Sequence, residues 1–373
     1  MPRVIGIDPG TVSFDVCGLG DGRVFLDTTI PSAEIGANPQ ILVDVLQAAQ
    51  PLDLVIGPSG YGLPWVNIQE FSEQELFLFI LADERERSQV SVLGGMGQMI
   101  ASLKASGLPI LFMPGVVHLP TVPEHRKANK IDMGTADKLC CLALGIFDQA
   151  RQYQIAYNAT NFIFVEVGGA YTAVMAVQGG QVVDGLGGSS GAPGYYSLGA
   201  MDGELAYLLG SFPKSVLFSG GVAAMTGQPT LSPEESLALR NNNAAIEDAW
   251  EALFEGVVKC VAAEMMVLPA PREILLSGRL CRIPPVREEL ARRVGHFAPV
   301  RYVSGLARTA KEAAQGAALI ADGMAGGQYA DLVETMRLKE ARGTVLDYLH
   351  VSLADDIRRK YLKRSTATPA QVR

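Results

Sequence analysis

Cysteine and histidine are scarce in this chain, five and four among 373 residues. Cys17, Cys140, Cys141, Cys260 and Cys281 are odd in number and show no CxxC spacing. That pattern argues against a disulfide framework and a zinc knuckle, and it fits a reducing cytoplasm. Adjacent Cys140 and Cys141 do not supply the spaced thiolates of an iron–sulfur site. His118 and His125 fall in a proline-containing loop, not at the spacing of a metal-binding pair on one helix. Basic charge is also short: 31 Lys and Arg stand against 39 Asp and Glu, a formal net charge of −8, with no long basic stripe before the C-terminus. A nucleic-acid partner is therefore not expected, because counterion release needs a basic surface. Long apolar runs are missing too. The run 76–82 is too short to cross a bilayer, and 257–269 carries Lys259 and Glu264, so no membrane partner is expected. Met-Pro-Arg leads straight into strand-like sequence, without the charged, apolar and small-residue regions of an export signal.

What is abundant is apolar side chain and glycine: 48% hydrophobic residues and 40 glycines describe a well-buried, turn-rich globular chain. The length exceeds one typical core and fits two domains of roughly 150 residues with a tail. We expect an N-terminal domain over 1–130, a C-terminal domain over 131–325, and a helical tail over 326–373 packing back on a domain. The oligomeric state is not fixed by the sequence, and a homodimer is compatible with it.

The strongest internal signal is a repeat. Residues 3–24, RVIGIDPGTVSFDVCGLGDGRV, return without a gap as 161–182, NFIFVEVGGAYTAVMAVQGGQV. Asp8 aligns with Glu166, Gly10 with Gly168, and the turn Asp21-Gly22 with Gly179-Gly180. Each copy reads as a strand, a carboxylate, a glycine turn and a second strand entering a hairpin that tolerates positive φ. Two such loops facing each other would present backbone N–H groups and two carboxylates, an arrangement suited to a polyphosphate with hydrated Mg²⁺.

IGIDPGTVSFDV and VEVGGAYTAV resemble the two phosphate-binding hairpins of the actin, sugar kinase and heat-shock chaperone ATPase superfamily. KIDMGTADKL and GLGGSSGAPGYYSLGAMDGELAYLL are similar to an uncharacterised family often labelled predicted butyrate kinases. The resemblance implies an α/β fold of two duplicated ribonuclease H-like domains, mixed five-stranded sheets flanked by helices, around a nucleotide cleft. It also implies ATP and Mg²⁺ as cofactors. Two departures stand out: Glu166 replaces the superfamily's usual Asp, and Pro9 limits backbone donors in the first loop.

Between the hairpins, a third strand is expected over 22–30, a helix over 38–50 and a strand over 52–57. The loop GPSGYGLPW that follows either lines a ligand site through Ser59, Tyr61 and Trp65 or is plain surface. Helices are expected over 72–82 and 84–106, the second interrupted by glycines, and a strand over 108–113. The loop 114–132 carries His118, His125, Arg126, Lys127 and Lys130. It is either an anion-recognition loop, with Arg126 as the preferred clamp, or a solvated connection. Residues 132–149 read as a capped helix resembling the superfamily's interdomain helix. There Gly134 allows close approach, Thr135 and Asp137 face the cleft, and Lys138 neutralises charge.

The glycine-rich 185–194 is either a mobile lid or backbone shaped around a ligand. A helix over 197–210 carries Asp202 and Glu204 near its start, followed by a strand over 215–219 and a long or broken helix over 232–268. A strand over 273–277 then delivers Ser277, Gly278 and Arg279, which resemble an adenosine motif: small residues admit base and ribose, and Arg279 stacks on the base or pairs with phosphate. A strand over 300–303 precedes a small-residue helix over 309–324, which resembles the second connector.

With Mg-ATP in the cleft, Asp8 and Glu166 would hold the metal's waters. Gly10, Thr11, Ser13, Gly168, Gly169 and Thr172 would contact the β- and γ-phosphates. A hydroxyl acceptor needs a base, for which Asp202 is the candidate. A carboxylate acceptor needs a cation and a dry pocket instead, supplied by Arg126 and the loop 185–196. The expectation is a Mg-ATP-dependent phosphotransferase acting on a small anionic metabolite such as a short-chain carboxylate. The alternative is a nucleotide-dependent switch ATPase with no small-molecule acceptor.

Overall fold

In the computed structural model, residues 1–10, 12–57, 60–82 and 91–362 are described. The first residues of the helix expected over 84–106, together with Thr11, Ser59 and the chain's end, lie outside the described residues; the described part of that helix is Ser91–Ala105.

The first sheet holds β1 (Arg3–Pro9), β2 (Ser13–Gly20), β3 (Arg23–Pro31), β4 (Leu54–Ile56), β5 (Val66–Asn67) and β6 (Ile110–Phe112), in the order β3-β2-β1-β4-β6-β5. The second holds β7 (Asn161–Val167), β8 (Thr172–Gln178), β9 (Gln181–Leu186), β10 (Glu273–Ser277) and β11 (Val300–Tyr302), in the order β11-β10-β7-β8-β9. Read from the hairpin edge, five strands of each sheet follow the same path. Two antiparallel pairings come first, then parallel additions. The two-residue β5 adds a sixth, antiparallel strand to the first sheet.

The repeat extends to pairing register. Asp8 lies opposite Asp15 and Glu166 opposite Ala173. The β2–β3 ladder shifts register between Gly18 and Leu19, and the β8–β9 ladder between Ala176 and Val177, the aligned positions. Both hairpin turns use positive φ, at Asp21 (49°) and Gly22 (71°) and at Gly179 (60°) and Gly180 (69°). A right-twisted ribbon closed by two residues requires that conformation.

Two helices lie between the sheets, Ala136–Tyr153 and Glu312–Met324. Their small residues decide how closely they pack. A Cβ on Gly316 would come 1.8 Å from the Cys140 carbonyl oxygen, and one on Gly6 would come 2.3 Å from that of Ala314. The second helix therefore crosses the first helix and β1 at backbone contact. Its Ala314, Ala317, Ala318 and Leu319 share one core with Val4, Ile5 and Ile7. A separate core, built on Trp250, Phe254 and Tyr195, lies under the other face of the second sheet.

Some expected elements change type or length. Residues 215–219 are not a strand: Lys214–Phe218 is a 3₁₀ turn, entered from Pro213. The apolar run there finds no sheet neighbour beyond a single bridge between Ser197 and Gly220, and β propensity without a pairing partner does not make a strand. Ser91–Ala105 runs as one helix through its glycines, with Leu76 of a neighbouring helix 3.8 Å from where a Gly97 Cβ would be. The region 232–268 breaks into Pro233–Leu239 and Ala244–Val267 because the Asn243 side chain starts the second helix, accepting from the Ala245 and Ile246 amides. Beyond residue 325, the chain returns to the first sheet's lobe. Trp65 Nε1 donates to the Leu338 carbonyl at 2.7 Å, and the Tyr361 ring stacks on Phe77 at 4.2 Å.

Candidate functional site

The C-terminal ends of β1, β7 and β10 converge on a cavity of about 300 Å³, walled by both hairpins and by the starts of both interposed helices. At its polar end stand Asp8, Gly10, Asp137, Lys138, Glu166, Gly168, Gly169, Gly278, Arg279, Lys311 and Glu312. The two hairpin glycines close their own turns in the same way. The Gly10 amide donates to the Ser13 carbonyl at 2.9 Å and that of Gly168 to the Tyr171 carbonyl at 2.8 Å. Their role at the wall is thus to bring backbone close, not to aim these two N–H groups at a ligand.

Lys138 is the electrostatic centre. Its ammonium lies 2.5 Å from Asp137 Oδ2 and 3.1 Å from Glu166 Oε2. Burial pushes the Asp137 carboxyl up, but Lys138 outweighs it and holds Asp137 below the usual carboxylate range. Burial lifts Glu166 above that range, with Lys138 opposing and Asp137 adding to the rise. Asp8 has its pKa pushed to about 7, first by burial and then by Asp137. Thr135 Oγ1 bonds Asp137 Oδ1 at 2.5 Å, fixing the carboxylate's orientation.

No group of three or more His, Cys, Asp or Glu side chains forms a metal cage among the described residues. Mg²⁺ does not require one: it keeps most of its waters and takes one or two carboxylates. Asp8 and Glu166 on opposing hairpins, both made harder to ionise by burial and by Asp137, are the hard oxygen donors that such an ion would satisfy. The residues present fit it.

Ser277 is fully buried, and its hydroxyl has no hydrogen-bond partner among the described residues. Gly278, at φ +95°, passes where a Cβ would meet the Val167 carbonyl oxygen at 2.4 Å, and a side chain there would displace the second hairpin. Glu312 is held by Arg282 at 3.0 Å and by the Tyr302 hydroxyl at 2.7 Å.

Other expected site residues are engaged elsewhere. Arg126 donates from Nη1 to the Val183 carbonyl at 2.8 Å and lies 3.7 Å from Asp184. It braces β9 and is not on the cavity wall. Asp202 caps the helix Gly203–Leu209, accepting from the Glu204 amide at 2.8 Å and the Leu205 amide at 3.3 Å, also away from that wall. Thr172 is buried with its hydroxyl directed at the Pro193 carbonyl, 3.3 Å away. Ser13 lies beside the wall, bonded to Asp15 at 3.2 Å. Gly134, at φ +126°, donates its amide N–H to Asp132 Oδ1, and its carbonyl accepts from the Val116 amide. The loop 57–65 contributes Gly60 and Tyr61, whereas Trp65 is spent on Leu338.

The glycine-rich segment is packed backbone. A Cβ on Gly187 would lie 1.9 Å from Asp132 Oδ1, on Gly185 2.1 Å from the Met133 oxygen, and on Gly194 1.9 Å from the Ala170 oxygen. Asp132, at the start of the expected 132–149 helix, accepts from the Ser189 amide and hydroxyl at 3.0 and 3.1 Å and so pins this segment.

The other end of the cavity is apolar: Tyr61, Phe79, Ile80, Met96, Tyr171 and Phe218. Lys214 enters it from the second lobe. Its buried ammonium bonds the carbonyls of Ile80 and Leu81 in the first lobe and lies 4.6 Å from the Tyr61 ring centroid. Lys214 and Lys311 escaped the sequence reading because neither sits in a glycine turn or near the repeats. Only the small-residue helix that Lys311 precedes hinted at its place.

The fold is one shared with acetate and propionate kinases, in keeping with the resemblance of the two hairpins. Three solved structures share it at low identity: a propionate kinase from Francisella tularensis subsp. tularensis SCHU S4 (12% identity, 85% of this chain, 99% of that one, TM-score 0.61), an acetate kinase from Porphyromonas gingivalis (13%, 80% and 88%, 0.56), and an acetate kinase from Entamoeba histolytica (11%, 79% and 87%, 0.55). The family model described as "Protein of unknown function (DUF1464)" matches residues 6–351, and the chain belongs to that family. No curated protein matches the sequence.

Proposed function

We propose that this protein is a Mg-ATP-dependent phosphotransferase whose acceptor is a small metabolite, a short-chain carboxylate first among them. The observation that carries the reading is the polarity of one cavity. Two in-register hairpins bring Asp8 and Glu166 to one end, and aromatic and aliphatic side chains with a lysine occupy the other. Likeness of fold to acetate and propionate kinases supports the choice of acceptor. Asp8 and Glu166 would hold Mg²⁺ through water, and the ion would supply charge neutralisation on the phosphates. Ser277, Gly278 and Arg279 form the side where adenosine would lie, and Lys138 keeps Asp137 ionised and opposes the effect of burial on Glu166. A carboxylate acceptor arrives deprotonated, so the site needs no base for it. Lys214, rather than Arg126, is the cation at the acceptor end, and the surrounding rings exclude water. Among the described residues no helix is long and apolar enough to cross a membrane.

The test is ADP release with Mg-ATP across straight-chain carboxylates and small alcohols, with hydroxylamine trapping of any acyl phosphate. Acceptor-dependent ADP release with a trapped acyl hydroxamate is the expected result. ATP hydrolysis indifferent to every acceptor would point to a switch ATPase instead, and absence of adenine-nucleotide binding would remove both readings.

A further inference from the structure

A third feature of the polar end is a lysine delivered from the far end of the sequence. Lys311 immediately precedes the Glu312–Met324 helix and reaches the first hairpin, where its ammonium lies 2.6 Å from Ser13 Oγ and 2.7 Å from Asp15 Oδ2. It stands over the glycine turn itself: a Cβ on Gly10 would be 3.4 Å from Nζ. An ammonium has three donors; Asp15 and Ser13 take two of them, and Lys311 itself lines the cavity. The aim is rigid. Asp15 is buried on β2, and its other oxygen accepts the Lys311 amide at 3.3 Å. Asp27 on β3 accepts the amides of Arg308, Thr309 and Ala310 at 2.7 to 3.1 Å. Two carboxylates of the first sheet thus tie down the whole approach to Lys311, which holds one long, flexible side chain in one place before any ligand arrives.

We propose that Lys311 grips the terminal phosphates at the first hairpin, with Asp15 as its positioning residue, so that this lysine separates nucleoside di- and triphosphates from monophosphates. The proposal rests on the nucleotide reading of the cleft. Pro9 has no N–H and the Gly10 amide is used within its turn, so the first hairpin offers few backbone donors to an anion. A side-chain cation takes their place. Lys138, on the helix Ala136–Tyr153, is already divided between Asp137 and Glu166.

The experiment is calorimetric binding of ATP, ADP and AMP to the full chain and to K311M and K311R, each checked by circular dichroism and thermal unfolding. K311M is expected to weaken ATP and ADP by roughly 10- to 100-fold, the scale of a hydrogen bond to a charged group, while AMP changes less than about twofold; K311R recovers part of the loss. Because K311M leaves Asp15 buried without its cation, the double variant D15N/K311M removes both charges and gives the same selectivity test if the single variant does not fold. In D15N alone, a mis-aimed lysine raises the KM for ATP more than it changes AMP binding. Equal weakening of ATP and AMP, or none, in a folded lysine variant overturns the proposal and leaves the nucleotide cleft standing. A wild-type chain that binds no adenine nucleotide overturns the nucleotide reading and this one with it.

Discussion

Glu264 lies 2% exposed inside the second lobe, with Oε2 lacking a hydrogen-bond partner among the described residues. Burial first and then Asp184 push its pKa to about 8, against a pull from Arg126. A carboxyl that holds its proton more tightly when folded favours the fold while protonated. Its contribution is complete below the ordinary value of 4.5 and is lost as pH rises toward 8. Glu264→Gln, which cannot ionise, is expected to be more stable than wild type at pH 8.5 by a few kcal/mol relative to their difference at pH 4.5, at about 1.4 kcal/mol per unit. Urea unfolding at the two pH values checks this, and parallel curves would refute it. The same neighbourhood explains why charge type alone misplaced Arg126. A cation in a polar loop looks available until the fold gives it a carbonyl and a carboxylate, here Val183 and Asp184. Asp8 and Glu166 were readable because they share a register within a repeat, which encodes geometry. Lys214 and Lys311 carry no local pattern, only a position that the closed fold creates.

Helix Gly203–Leu209 gives the corresponding lesson for elements. Residue type alone makes Asp202 a candidate base, and the structure makes it the cap that precedes the helix. Asp202→Asn keeps the capping oxygen and removes the base, so phosphotransfer should be unchanged, whereas Asp202→Ala should cost about 1 kcal/mol in unfolding experiments. A large fall in kcat for Asp202→Asn would restore the base. At β10, the turn conformation of Gly278 is the constraint: Gly278→Ala pushes a methyl toward the Val167 carbonyl and should destabilise by roughly 1–3 kcal/mol, with nucleotide binding lost alongside, as read by thermal shift with and without Mg-ATP. The hairpins and most helices could be read from periodicity and turn residues. The 3₁₀ turn Lys214–Phe218 could not, because strand and turn there differ only in whether a neighbouring strand exists.

For the whole molecule, the two sheets follow from the duplicated sequence, but the way they are joined does not. The residues after 325 supply Leu332, Val333, Met336 and Leu338 to the core that also contains Val4 and Ile5. Deleting 326–373 should therefore abolish the cooperative thermal transition rather than trim a tail, and a truncated chain that unfolds at the wild-type temperature would contradict this. The close crossing of Glu312–Met324 over β1 has a temporal side. Gly6 is made some three hundred residues before the alanines that cover it, Ala314, Ala317 and Ala318. Contacts of such separation are slow to form and keep apolar surface open meanwhile. The first lobe's sheet begins before the second in the chain, yet the cover over β1 is complete only once the helix Glu312–Met324 has been made.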